Sequence, residues 1–206
     1  IRYNPTMKLF STLPMNIWII LCVFIAPTCV ADWVLDSENS HLSFVSIKNG
    51  VVAEVHRFDK LRGGVNDDGS AALKIGLASV ETNIPIRNDR IKSMLFDVTN
   101  FSLATASAQL NIDEFVELPH GASLLRSIPL SINLHGVDGK MPASVKVTRT
   151  AENLWHVMSV QPLILNAGNY GLLEGIEALR AIAGLDEITS VIPVIFSLEF
   201  SRIRRD

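Results

Sequence analysis

The chain predicts an all-β protein, an antiparallel barrel or sandwich of about eight strands with one or two short helices. Three observations predict it. Apolar and polar residues alternate with period two through most of residues 33–203, short turn signals separate the alternating runs, and few segments break to a helical period. One detail favours a hollow barrel over a solid core. A face carrying Ala104, Ala106 and Ala108 in succession fills little volume, and eight strands give the size at which a lumen is either packed or holds one ligand. A helix packed closely on those alanines is the alternative.

Residues 32–47 are rich in strand formers around a polar turn at Asp36 to Asn39, which fits two strands or one strand with a bulge. A further strand is expected over Val51 to Leu61. Asn66-Asp67-Asp68-Gly69 is a hairpin signal leading into Ala71 to Val80, where Leu73, Ile75 and Leu77 share one face. That strand breaks into a charged turn bearing Arg87, and a helix is expected over Asn88 to Phe96, with Asn88 and Asp89 placed to cap it.

Strands over Leu103 to Ile112 and Ile128 to His135 follow, the second with Leu130, Ile132 and Leu134 on one face. Val137-Asp138-Gly139-Lys140 reads as the next turn. Val145 and Val147 mark another strand, Leu154 to Val160 its return, and Val191 to Ile203 the last, with Phe196 and Leu198 on its apolar face. A second helix is expected over Leu172 to Leu185, between Gly171 and Gly184.

Residues 1–31 are expected to be N-terminal residues plus a cleaved secretory signal, and residues 32–206 a single domain. Met7-Lys8 supplies a start and a positive charge, Ile17 to Ala26 an apolar core of about ten residues, and Cys29-Val30-Ala31 small residues before Asp32. Such a run is shorter than the roughly 20 residues needed to span a bilayer. A periplasmic location follows as the expectation.

Both cysteines, Cys22 and Cys29, fall in the leader, so residues 32–206 have no disulfide, thiol catalyst or Cys-ligated zinc. Arg2 and Lys8 belong to the leader as well. The remaining 16 basic residues face 21 acidic ones, a net charge of −5, which disfavours a nucleic-acid partner.

No two of the five histidines sit at metal-ligand spacing, and neither a nucleophile elbow nor a phosphate-cradling Gly-rich loop occurs, so no metal, cofactor or catalytic set is expected. Asp67-Asp68, Asp113-Glu114 and Asp186-Glu187 read as solvated turn charges. Arg202, Arg204 and Arg205 read as a solubilising terminus. Arg87 stands apart, because it follows an apolar strand end and a proline, where a barrel mouth would lie. It is a head-group candidate through bidentate phosphate binding, with Arg90 and Lys92 within a helical turn; the alternative is a salt bridge to Asp89, Asp97 or Glu81.

Trp33-x-x-Asp36 with Ser40-x-Leu42-x-Phe44, then Val80-x-Thr82 with Arg87, Ile91-Lys92-Ser93 and Phe96, then Leu130-Ser131-Ile132-x-Leu134-His135-Gly136-Val137 occur in an order and spacing that resembles the YceI-like proteins. The likeness spans Trp33 to about Phe200. It implies an extended eight-stranded antiparallel lipocalin-like barrel with one or two short helices, whose apolar lumen takes an isoprenoid lipid such as a polyprenyl phosphate or a quinone. On that reading Phe44, Leu73, Ile75, Leu77, Leu110, Leu130, Ile132, Leu134, Phe196 and Leu198 line the lumen and Arg87 meets the head group. Family members usually carry Arg-Asp and a His ahead of Leu in the helical turn, where this chain has Arg87-Asn88 and Arg90 ahead of Ile91.

The resulting expectation is a periplasmic binding or carrier protein without catalytic activity, which leaves room for a homodimer and for transient membrane contact. Two other classes stay open: an envelope stress-response or redox-partner protein, and a small-molecule enzyme using His56 or His135.

Overall fold

The computed structural model describes residue 1 and residues 32–203; the rest of the expected leader with both cysteines, and Arg204 and Arg205, lie outside the described residues. Eleven strands occur among the described residues: β1 (Trp33–Lys48), β2 (Val52–Phe58), β3 (Leu61–Val65), β4 (Ser70–Gly76), β5 (Val80–Glu81), β6 (Leu103–Gln109), β7 (Ser123–Leu134), β8 (Val137–Ala151), β9 (Leu154–Ser159), β10 (Leu163–Asn166) and β11 (Val191–Arg202). The helices are α1 (Pro85–Arg90), α2 (Asp113–Val116) and α3 (Leu173–Ala183).

Eight antiparallel strands close into a barrel in the order β1-β3-β4-β6-β7-β8-β9-β11, and pairing of β11 with β1 shuts the ring, so the barrel alternative holds over the sandwich. The remaining strands lengthen the wall. β3 covers β1 only at Trp33 and Val34, and β2 takes over the same edge from Ser43 to Lys48; β10 likewise continues the edge of β11 beyond β9. Long strands with divided partners make a tube rather than a squat barrel. The sixteen residues of β1 span roughly 50 Å at about 3.3 Å each.

β1 runs unbroken through the expected turn at Asp36 to Asn39. The extra residues form a bulge between Asp36 and His41, and the Asp36 carboxylate accepts the backbone N–H groups of Glu38 and Asn39 at 2.9 and 3.2 Å. The segment expected as one strand over 51–61 is two, β2 and β3, with Leu61, 2% exposed, opening the second. β10 and the short α2 were not expected. Asp113 and Glu114 start α2, and Glu114 pairs with Arg126 at 2.7 Å instead of standing alone in a turn.

Two local expectations are corrected. The first helix begins at Pro85, not Asn88, because proline's fixed φ suits the first helical position. Asn88 does not cap it. Its buried side-chain oxygen accepts from the Thr82 backbone N–H at 2.9 Å and from Thr82 Oγ1 at 2.6 Å, tying the helix to the end of β5. The helix then widens into a π turn over Ile91–Leu95, with the Phe96 N–H donating to the Ile91 carbonyl at 3.0 Å.

The β7–β8 turn is centred on His135 and Gly136, at φ +53° and +76°, with Leu134 paired to Val137; it is not the expected Val137-to-Lys140 turn. Positive φ at both central residues is the two-residue geometry that matches strand twist. Gly139 stays in the strand. A Cβ there would collide with the Tyr170 hydroxyl, so this glycine records a close approach rather than a turn.

Candidate ligand-binding cavity

Strand alternation sends one face of every barrel strand inward, and those faces enclose a cavity of about 550 Å³, within the size range of small-molecule sites. Its wall is apolar over most of its length. β4 contributes Leu73 and Ile75, β7 Ile128, Leu130, Ile132 and Leu134, β8 Val145 and Val147, and β11 Val194, Phe196 and Leu198. Ala104, Ala106 and Ala108 of β6 face the space as expected, and the space beside them is open. Each of the eleven residues singled out from the sequence lies on this wall, from Phe44 through Leu77, Arg87 and Leu110 to Leu198.

The end marked by the start of β1 is filled by aromatic rings. Trp33 and Trp155, 3% and 4% exposed, meet edge to face at 3.8 Å, and the Trp155 indole N–H donates to the Phe115 carbonyl of α2 at 3.2 Å. The other end opens between α1 and α3. Ile84, Ile86 and Ile182 line the cavity there and are also 44%, 58% and 49% exposed, an apolar rim open to solvent at that end.

Near that mouth the wall grades from apolar to polar. β1 presents Phe44, Ser46 and Lys48 at every second position, and β2, paired Phe44 to His56 and Ser46 to Glu54, presents Phe58, His56 and Glu54. Phe44 and Phe58 stack at 5.3 Å, Ser46 Oγ and His56 Nε2 share a hydrogen bond at 2.8 Å, and Lys48 pairs with Glu54. Apolar, hydrogen-bonding and ionic pairs thus follow one another toward the opening.

Arg87 reaches this cluster from α1. Its Nη1 donates to Glu54 at 2.6 Å, its Nε to Thr82 Oγ1 at 2.9 Å and its Nη2 to the Thr82 carbonyl at 2.6 Å. Its salt bridge is therefore to Glu54, not to Asp89, Asp97 or Glu81. Lys48 first, then Arg87, hold the Glu54 carboxyl below the usual carboxylate range against the opposing effect of burial. His56 is 4% exposed, and burial above all, with the charge of Arg87 next, lowers its basicity and keeps the ring neutral near pH 7.

Sequence reasoning left Ser46, Lys48, Phe58 and the α3 residues Ile176, Leu179 and Ile182 out of the site, although all line the cavity. The signal was present for the first three: Phe44-Ser46-Lys48 and Glu54-His56-Phe58 are each a period-two set on paired strands. His135 lies elsewhere, in its hairpin turn, with its ring 4.3 Å from that of Phe101. Among the described residues no three His, Cys, Asp or Glu side chains gather to hold a metal ion.

The sequence profile of the YceI-like domain matches residues 33–200, which is the whole barrel. The chain belongs to the YceI-like family. Three solved structures place the YceI-like fold in context. A polyisoprenoid binding domain from Saccharophagus degradans, implicated in plant cell wall breakdown, is 36% identical with a TM-score of 0.83, over 84% of this chain and 100% of that one. BcnA of Burkholderia cenocepacia shares the fold at 18% identity and a TM-score of 0.63, over 80% and 98% of the two chains. The Campylobacter jejuni YCEI protein does so at 10% and 0.54, over 73% and 85%. A search of curated protein sequences returned no match.

Proposed function

We propose that this YceI-like barrel is a periplasmic binding or carrier protein that holds an isoprenoid lipid, a polyprenyl phosphate or a quinone-like molecule, with its chain in the tube and its head group at the α1–α3 mouth. The observation that carries the reading is the confinement of charged groups to the mouth. Apolar side chains line the cavity from Trp33 to Phe44 and Phe58, and the charged ones gather where Ile84, Ile86 and Ile182 open to solvent. A hydrocarbon chain needs no hydrogen bonds to bind there, because each buried CH₂ contributes about 0.8 kcal/mol. The 36% identical domain described as polyisoprenoid binding supports the same ligand class. Loading from a bilayer brings the exposed isoleucine rim against the membrane surface, the transient contact such a carrier requires.

The bonded Ser46–His56 pair favours a second reading, a hydrolytic nucleophile and its base. That chemistry needs a third group on His56 Nδ1 to hold the ring, and among the described residues the buried Nδ1 has no hydrogen-bond partner. Binding is the reading the geometry supports best. Titrating the protein with geranylgeraniol while following the fluorescence of Trp33 and Trp155, both on the cavity wall, tests it. Saturable one-to-one binding is expected; no change in emission at any concentration would remove the proposal.

A further inference from the structure

Among the described residues the charged side chains that line the cavity itself are Lys48, Arg87 and Arg90; the Glu54 carboxylate, presented by β2 beside them, does not line it. This stands against the composition of the chain, whose net charge is −3. A single carboxylate, Glu54, pairs with both Lys48 and Arg87. Arg87 is further committed to Thr82 through two of its nitrogens, so its plane is set by the protein.

Arg90, the last residue of α1, differs. It is part-buried on the cavity wall, and its guanidinium has no hydrogen-bond or ion-pair partner among the described residues. Asp89, next to it in sequence, pairs with Lys92 at 3.3 Å instead. Three cations and one carboxylate leave an excess of two positive charges beside low-dielectric apolar wall, where Coulomb interactions are stronger than in water. The arginine fork matches the oxygens of a phosphate bidentately, and a ligand there would supply the anion that the protein does not.

We propose that Arg90 is the head-group residue of the cavity and that the ligand is anionic, a phosphate monoester on the isoprenoid chain, while Arg87 is a positioning residue that holds Glu54 and Thr82 at the mouth. The proposal rests on the lipid-binding reading and decides between its two ligand types. The Lys48–Glu54–Arg87 group forms the electrostatic frame of the site. Arg90 supplies its vacant bidentate donor.

The test uses the purified chain, tryptophan fluorescence and four probes: geranylgeranyl phosphate, geranylgeraniol, squalene and inorganic phosphate. The wild type is expected to bind geranylgeranyl phosphate about tenfold more tightly than geranylgeraniol, as an added charge-assisted contact allows. Arg90→Met is expected to erase that preference, and Arg90→Lys to keep part of it. In the wild type, raising salt should weaken the phosphate probe and not the alcohol, a measurement that needs no variant.

Equal affinity for alcohol and phosphate, or a preference that survives in Arg90→Met, overturns the assignment while lipid binding stands. Inorganic phosphate binding as tightly as the phosphorylated lipid overturns it too, because the site would then serve a free ion. If none of the three lipid probes binds, both this assignment and the lipid-binding reading fall.

Discussion

Arg87 and Glu54 stand 33 positions apart in the chain and meet at 2.6 Å, joining α1 to β2 at the rim of the tube. The pair is partly exposed, 21% and 32% by side chain, so solvent screens it, yet the two further bonds from Arg87 to Thr82 make the guanidinium a three-way brace. Arg87→Met is expected to lower unfolding free energy by about 1–2 kcal/mol, combining a screened ion pair with lost hydrogen bonds to the charged group. A urea titration checks it. An unchanged midpoint would show that the brace carries no stability.

Two groups at the mouth give stability a pH dependence in separate windows. His56 has a folded pKa below its ordinary 6.5, so the unfolded chain takes up the proton first; stability present above pH 6.5 is lost as pH falls from there toward the lowered value. Glu54 is depressed from 4.5, and its contribution is lost at lower pH, as acid protonates the carboxylate below that point. Thermal melts between pH 7.5 and 3 should fall in two stages. His56→Phe should flatten the upper stage only, and a variant that keeps both stages would contradict the assignment.

Filling the lumen separates binding from folding. Ala106 faces the open space, so Ala106→Phe should occupy volume meant for ligand and weaken geranylgeraniol binding at least about tenfold, with the melting temperature little changed or raised. Leu61, 2% exposed and outside the cavity wall, gives the reverse: Leu61→Ala should cost about 2–5 kcal/mol in stability, with binding by the folded fraction retained. Calorimetry and fluorescence titration on the two variants read both effects.

Gly175 sets the distance between α3 and the π turn after α1. A Cβ there would lie 2.6 Å from the Met94 carbonyl oxygen and 2.8 Å from Leu95 Cα, backbone atoms that cannot rotate away. Gly175→Ala should therefore push the helices apart and destabilise by about 1–3 kcal/mol despite alanine's better helix propensity. Faster amide exchange over residues 91–98 and 173–183 is the accompanying sign. Stabilisation would contradict the packing.

The parts of this fold that the sequence made legible are those governed by period two. Leu130-Ile132-Leu134 and Leu73-Ile75 alternate because one strand face is sealed from water, and that pattern survives any error in the turns. Turns were misread where a tertiary contact outranked local chemistry: Asp138-Gly139 looks like a hairpin turn, but Tyr170 packs on Gly139 and the positive-φ positions fall to His135 and Gly136. Asn88 resembled a helix cap until Thr82, six residues away, claimed its side chain. The mouth was half legible. Arg87 stood out as a lone charge after an apolar strand, whereas its partner Glu54 lies on another strand, and pairing at that separation leaves no local pattern.

The central claim is that the tube carries an isoprenoid lipid, and mass spectrometry of an organic extract of the protein, purified from its native envelope, tests it most directly. The account predicts one isoprenoid species per chain, phosphorylated if Arg90 holds the head group, and its loss from an Ala106→Phe variant. An extract with no isoprenoid, from wild-type protein shown to be folded, would contradict it.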